Sequence, residues 1–312
     1  MRILEPDKVV DDHVAHCEKI HIQLVYTEYM QTLREVINEY KQAGKAIGHF
    51  NFSDSNQLKA IIDASRETNL PVIAGLSEGE REYFPFMQAR ALVELYQKQD
   101  VQIYLNADHT YTTEKVQRAI AAGVDSVVVD GANLPLEENI HLLTSCVKYA
   151  RAAGRDVIVE GELGYIGQAS KELDSLPEGV TEANLTTPED AKAYVEATGV
   201  DCFAPAVGNV HGMLKHAAEP RLHPERVKAI AEATGVPLVL HGASGNTEED
   251  ILACVKAGIT IVHINTELRV LYRDALRESL KGDETTPYKF LTPAVVKMQE
   301  YIVHKMQLLA KA

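Results

Sequence analysis

Short apolar, β-branched runs alternate along this chain with longer stretches whose apolar positions recur at helical spacing. The runs predict strands over Ala46–Asn51, Pro71–Leu76, Val101–Asn106, Val124–Asp130, Asp156–Glu162, Val200–Val207, Val236–Leu240 and Ile259–Ile264. Most are preceded by a helical stretch that closes on glycine, at Gly44, Gly123, Gly154, Gly199, Gly235 and Gly258, the residue best suited to a helix C-terminus. Eight strand, turn and helix units in succession predict an α/β fold, a (β/α)8 TIM barrel in a single domain. A doubly wound open sheet is the runner-up. Such a sheet places a glycine-rich phosphate turn after its first strand, whereas here that strand runs into His49-Phe50-Asn51-Phe52-Ser53.

Two segments lie outside the repeat. Residues 1–40 place Leu24, Val25, Tyr29, Leu33, Val36, Ile37 and Tyr40 at helix-like intervals and predict an N-terminal helical extension. It is suited to capping the barrel bottom or meeting another subunit, with residues 41–312 forming the catalytic barrel and its C-terminal helices. The second segment, Gln168 to Thr187, is polar and punctuated by Pro and Gly, and is too long for an ordinary turn between strand and helix. It reads as a mobile lid, although a disordered insertion has the same pattern.

The balance of charge narrows the partners. A formal net charge of −14 over 312 residues argues against nucleic acid and against an anionic membrane, which both require concentrated positive surface. Any phosphate is therefore held by local geometry. Cys17, Cys146, Cys202 and Cys254 show no C-x-x-C spacing, no signal-like segment opens the chain, and the apolar runs are far too short to span a bilayer, so a cytoplasmic location is expected.

Chemistry collects at the predicted strand ends. His109, His211 and His241 each sit where a strand-like run gives way to a turn, in Ala107-Asp108-His109, Gly208-Asn209-Val210-His211-Gly212 and Leu240-His241-Gly242. Three imidazoles with a fourth position open form a common catalytic zinc arrangement, and strand ends are where a parallel barrel gathers its reactive groups. His49 and His263, also on predicted strands, are the rivals. Asp108, Asp130, Glu160 and Glu162 share the same ends; strand alternation puts Glu160 and Glu162 on one face, with Glu162 nearer the top and the better ligand. A second group on this rim joins Gly212 and Lys215 with Gly242-Ala243-Ser244-Gly245 and Asn265-Thr266. Amides and hydroxyls of this kind bind phosphate, and they also serve ordinary turns and helix caps.

In these motifs the chain resembles the class II, metal-dependent fructose-bisphosphate and tagatose-bisphosphate aldolases. The resemblance runs from about Ala43 to the C-terminal helix and includes Phe50-Asn51, Leu76-Ser77, Ala107-Asp108-His109, Val129-Asp130-Gly131, Glu160-Gly161-Glu162-Leu163-Gly164, Gly208-Asn209-Val210-His211-Gly212 and His241-Gly242-Ala243-Ser244-Gly245. It implies reversible cleavage of fructose 1,6-bisphosphate to dihydroxyacetone phosphate and glyceraldehyde 3-phosphate through a zinc-stabilised enediolate. Tagatose bisphosphate or another phosphorylated sugar is the alternative substrate, and a non-catalytic sugar-phosphate-binding barrel the alternative role. By the same resemblance His109, His211 and His241 would hold Zn2+, and Asp108 would act as acid and base. Asp130 and Glu162 would serve a second divalent or monovalent cation position. Asn51, Ser77, Gly212, Lys215, Gly242, Ser244, Asn265 and Thr266 would contact substrate, and the protein would be a homodimer or homotetramer. Three features depart from the family pattern, one being the extended N-terminus, which has no counterpart in the family's shorter bacterial enzymes. Tyr165-Ile166-Gly167-Gln168 replaces its Gly-Gly and acidic residues, leaving Glu172 as the nearest loop carboxylate, and His263 stands where many members have asparagine.

Overall fold

The apolar strand runs have helices to pack against on one side and each other on the remaining side, and the arrangement that buries both is a closed cylinder. In the computed structural model, which describes residues 30–167 and 170–312, eight parallel strands form that cylinder in sequence order. They are β1 Ile47–Asn51, β2 Val72–Leu76, β3 Ile103–Thr110, β4 Ser126–Val129, β5 Ile158–Leu163, β6 Cys202–Pro205, β7 Leu238–Leu240 and β8 Ile259–Ile264. Each lies within a few residues of its predicted span. The outstanding difference is β3, which continues past Asn106 through Asp108 and His109.

Local chemistry fixes where the helices begin and end. Side chains of Asp54, Thr112, Thr187 and Thr247 accept backbone N–H groups at helix starts, and Gly44, Gly199 and Gly235 close helices in the left-handed conformation. Before β1, the helix Leu33–Ala43 carries a Thr32 and Glu35 capping box and buries Leu33, Val36, Ile37 and Tyr40. It covers the end where the strands begin: the Tyr104 hydroxyl at the foot of β3 donates to the Gln31 carbonyl at 2.8 Å. Arg34 reaches Asp156 and Asp201, ahead of β5 and β6, at 2.8 and 2.6 Å. The expected helical positions Leu24, Val25 and Tyr29 lie outside the described residues, as does Cys17. Cys146, Cys202 and Cys254 are buried free thiols.

The segment expected to be a mobile lid is folded. Glu172–Leu173 forms a short parallel ladder with Met213–Leu214, and Glu182–Asn184 makes one 3-10 turn. Met213 and Lys215 donate to the carbonyls of Lys171 and Leu173 at 3.1 and 2.9 Å, so the segment is a strap laid on the loop that follows β6. Gln168 and Ala169 lie outside the described residues. Among the described residues no helix is long and apolar enough to cross a membrane.

Toward the mouth the barrel interior becomes polar. The register of β1 on β8 sets His49 opposite His263, and their rings stack at 3.5 Å with 6° between planes. His49 Nε2 meets Asn106 Oδ1 at 3.1 Å, and Asn106 donates to Ser126 Oγ at 2.7 Å. Gly75 makes room for this layer, since a Cβ there would lie 2.2 Å from His49 Cε1. Gly75→Ala should therefore overpack the barrel and lower unfolding stability by about 1–3 kcal/mol. A urea midpoint equal to that of the unsubstituted protein would show that the His49 ring has room to move.

Candidate metal centre

The mouth of the barrel is built by five successive strands and the loops that leave them. β3 carries Asp108 and His109, Asp130 follows β4, and β5 carries Glu160 and Glu162; His241 directly follows β7, and His211 sits in the loop after β6. One ring nitrogen each from His109, His211 and His241 falls within 4.8 Å of the others, a grouping that can hold a metal ion. Ring centroids are 4.7 Å apart for His109 and His211, 5.0 Å for His109 and His241, and 5.8 Å for His211 and His241. His109 is at φ +36°, unusual for a residue with a Cβ, and this conformation turns its ring toward the other two. Gly242, at φ +58°, lets the His241 and His211 loops touch: a Cβ there would lie 2.3 Å from the Val210 carbonyl oxygen.

Each imidazole is held from behind. His211 Nδ1 donates to the Gly167 carbonyl at 2.8 Å, which leaves Nε2 as its free nitrogen. His241 Nε2 meets Glu160 Oε1 at 2.6 Å, and its Nδ1 is buried without a partner. His109 Nδ1 meets Asp130 Oδ2 at 2.9 Å. Glu162 Oε2 is likewise buried and unpartnered, 3.5 Å from His241 Nδ1 and 3.7 Å from His109 Nδ1. Orphaned donors and acceptors inside a protein cost free energy, and here they are lone pairs facing a common point. The donor set, three imidazoles with carboxylates in reserve, fits a zinc-type cation.

Electrostatics sort the three rings. Burial, reinforced by repulsion from His109 and His241, pushes His211 down to about 3 and keeps it neutral. Burial also opposes charge on His109, but Asp108 and Asp130 outweigh it and lift its pKa to about 9. His241 is likewise held well above the usual imidazole range by Glu160 and Glu162 against the cost of burial. Glu162 is raised by burial and by the Asp130 carboxylate. Asp108 lies well below the carboxylate range, because His109 and the imidazoles beneath it overcome the effect of burial. Such a site concentrates negative charge that a divalent cation would neutralise.

Most expected site residues meet here. Asn51, Asp108, His109, His211, Gly212, Gly242, Ser244, Asn265 and Thr266 line one pocket, together with His263 and Ser170. A second cleft, sharing Asp108, His109, His211 and Ser170, passes between Ser77, Asp130 and Arg269. Lys215 lines neither. It is paired with Asp174 at 2.9 Å and faces a neighbouring cleft that shares Thr266. Glu172, the nearest loop carboxylate, is held by Arg273 at 2.6 Å. His49 and His263 can be grouped with Asp108 as a second cluster. Their parallel stack, however, aims the in-plane lone pairs along parallel lines, a poor arrangement for sharing one ion.

Several functional residues escaped the sequence reading. Glu160 was placed correctly below Glu162, yet its role as the anchor of His241 needed the third dimension. Glu80 was detectable as the fourth residue of a Ser77-x-x-Glu80 capping pattern, and it does accept the Ser77 N–H at 2.8 Å. The same carboxylate also accepts from Asn51 at 2.8 Å, a contact 29 residues apart in sequence. Arg81 donates to the Leu76 and Asp108 carbonyls at 3.0 and 2.9 Å and so fixes the backbone beside the metal cluster.

Loss of the carboxylate behind His241 should loosen the site without emptying it. Glu160→Gln is expected to weaken metal affinity about 10- to 100-fold, measured by competition with a chromophoric chelator. Unchanged affinity would mean that the Glu160 contact does not orient the ring.

Comparison with known proteins identifies the family. Residues 31–312 match the family model for fructose-bisphosphate aldolase class-II. The chain is 37% identical over 283 residues to a Bacillus subtilis protein named "Probable fructose-bisphosphate aldolase", covering 88% of this chain and 96% of that one. It is 34% identical to the fructose-bisphosphate aldolase of Geobacillus stearothermophilus, covering 88% and 95%. Among solved structures it is similar to the YdjI aldolase of Escherichia coli K12, with a TM-score of 0.75, 30% identity, and 89% and 96% of the two chains covered. The family match over nearly all the described residues, together with these relatives, establishes that the chain belongs to the class II fructose-bisphosphate aldolases, a family of metal-dependent lyases.

Proposed function

We propose that this protein cleaves fructose 1,6-bisphosphate reversibly to dihydroxyacetone phosphate and glyceraldehyde 3-phosphate, with Zn2+ held by His109, His211 and His241. The convergence of three imidazole nitrogens beside the buried carboxylate of Asp108 carries this reading, and the names of the relatives support the sugar. When bound, the metal supplies electrophilic stabilisation of the negative charge that carbon–carbon cleavage leaves on the dihydroxyacetone-phosphate half. An imine route has no candidate residue, because none of the eight barrel strands contains lysine.

Asp108 takes the proton of the C4 hydroxyl during cleavage and returns it during condensation. It is 3% exposed and ionised, and its Oδ2 accepts from Asn51 Nδ2 at 2.8 Å, which fixes the carboxylate in plane. Asp130 and Glu162 orient or neighbour His109 and offer oxygen ligands for a second cation position. The phosphate of the dihydroxyacetone half lies against Gly212, Gly242, Ser244, Asn265 and Thr266, at the start of the helix Thr266–Ser279. Lys215 approaches the same end from the neighbouring cleft, and Asn51 and Ser77 contact the sugar chain.

Two variants separate these roles. Asp108→Ala should retain metal and lose about 10²- to 10⁴-fold in turnover, while His211→Ala should lose metal and activity together. Elemental analysis and a coupled triose-phosphate assay read both. Normal cleavage by Asp108→Ala would remove Asp108 as the proton carrier.

A further inference from the structure

Glu80 is buried at 7% exposure at the edge of the site, and the proton transfers described above make no use of it. Its Oε2 accepts from Asn51 Nδ2 and from the Ser77 amide, both at 2.8 Å, and its Oε1 is bound by Arg269 Nη2. Arg269 uses its other terminal nitrogen on the Ser170 carbonyl, at 2.9 Å. Asn51 Nδ2 is shared with Asp108 at 2.8 Å, so one carboxylate joins the proton carrier, the second cleft and the strap.

That cleft shares Asp108, His109 and His211 with the first pocket but not its Gly212, Gly242, Ser244 and Thr266, and would receive the far end of a sugar. Among the described residues lining it, Arg269 is the one lysine or arginine, and Glu78, Asp108 and Asp130 are its carboxylates. Apart from Asp108, the proton carrier, every charge there has an internal match. Arg269 has Glu80, Glu78 has Lys115 and Arg81, and Asp130 has His109. A phosphate monoester, with nearly two negative charges, would compete with Glu80 for Arg269 and leave like charges close together in a partly buried place. A polyhydroxyl end would meet hydroxyls, amides and neutralised ion pairs at no such cost.

We propose that Glu80, by neutralising Arg269, makes this arm accept ketose 1-phosphates with an uncharged polyhydroxyl end about as readily as ketose bisphosphates. The inference rests on the aldolase reading and extends it to the substrate class. Glu80 is a specificity-determining residue that acts through Arg269.

The test compares kcat/KM for fructose 1,6-bisphosphate and fructose 1-phosphate in the zinc-loaded protein, with and without Glu80→Gln. The unsubstituted protein should favour neither sugar by more than about tenfold. Glu80→Gln frees the guanidinium and should shift the ratio at least about threefold toward the bisphosphate, whatever it does to either value alone. A native preference for the bisphosphate above tenfold overturns the inference and leaves the aldolase reading standing, and it needs no variant to fold. An unshifted ratio in folded Glu80→Gln, with both values falling together, reduces Glu80 to a structural role and also overturns it. Cleavage of neither sugar by the native protein overturns the aldolase reading itself.

Discussion

The structure turns on aiming three imidazole nitrogens at one point. A histidine alone has two nitrogens and a free ring rotation, so a ligand set exists only if something behind each ring decides which nitrogen faces inward. Here the three anchors differ: an Asp130 carboxylate for His109, the Gly167 carbonyl for His211 and the buried Glu160 carboxylate for His241. They come from β4, the segment after β5, and β5 itself, so the closed cylinder is what brings them together. Charge separates the rings as well: burial and repulsion from His109 and His241 keep His211 neutral, whereas carboxylates beside His109 and His241 outweigh burial and pull those two the other way.

The polar layers below the mouth show how a barrel core carries such a site. Tyr104 and the apolar strand residues fill the lower interior; His49, Asn106 and Ser126 form a hydrogen-bonded row above them, and Glu160 is bonded to His241. Each buried polar group that is satisfied there spares the fold an unpaired cost; those left without a partner include His49 Nδ1 within that row and, at the mouth, His241 Nδ1, Glu162 Oε2 and Asp108 Oδ1. An overall charge of −14 is compatible with the proposed phosphate position, because the pocket there is lined by Gly212, Gly242, Ser244 and Thr266 and a local polar lining can bind an anion without a net positive field.

The barrel was legible in the sequence because its signals are local. Strand runs, helix caps and terminal glycines each occupy a few consecutive residues, and eight repeats of them admit few closed arrangements. The grouping of the three histidines was legible because strand ends are predictable and His109, His211 and His241 stand at or near them. What escaped was set by tertiary packing. Neither the Glu80 to Asn51 contact nor the stack of His49 on His263 has a spacing that periodicity can detect, and Lys215 faces the Asp174 side of the strap for reasons of strand pairing after β6. The pairing of the strap with Met213–Leu214 has no signature in the sequence, because a two-residue ladder is too short to leave a pattern.

The central claim, that this mouth is a metal-dependent aldolase site, is tested most directly by following triose phosphate released from fructose 1,6-bisphosphate before EDTA, after EDTA and after zinc is returned. The account predicts activity that is lost with the metal and recovered with it. Cleavage that persists undiminished in protein shown to be stripped of metal would contradict it.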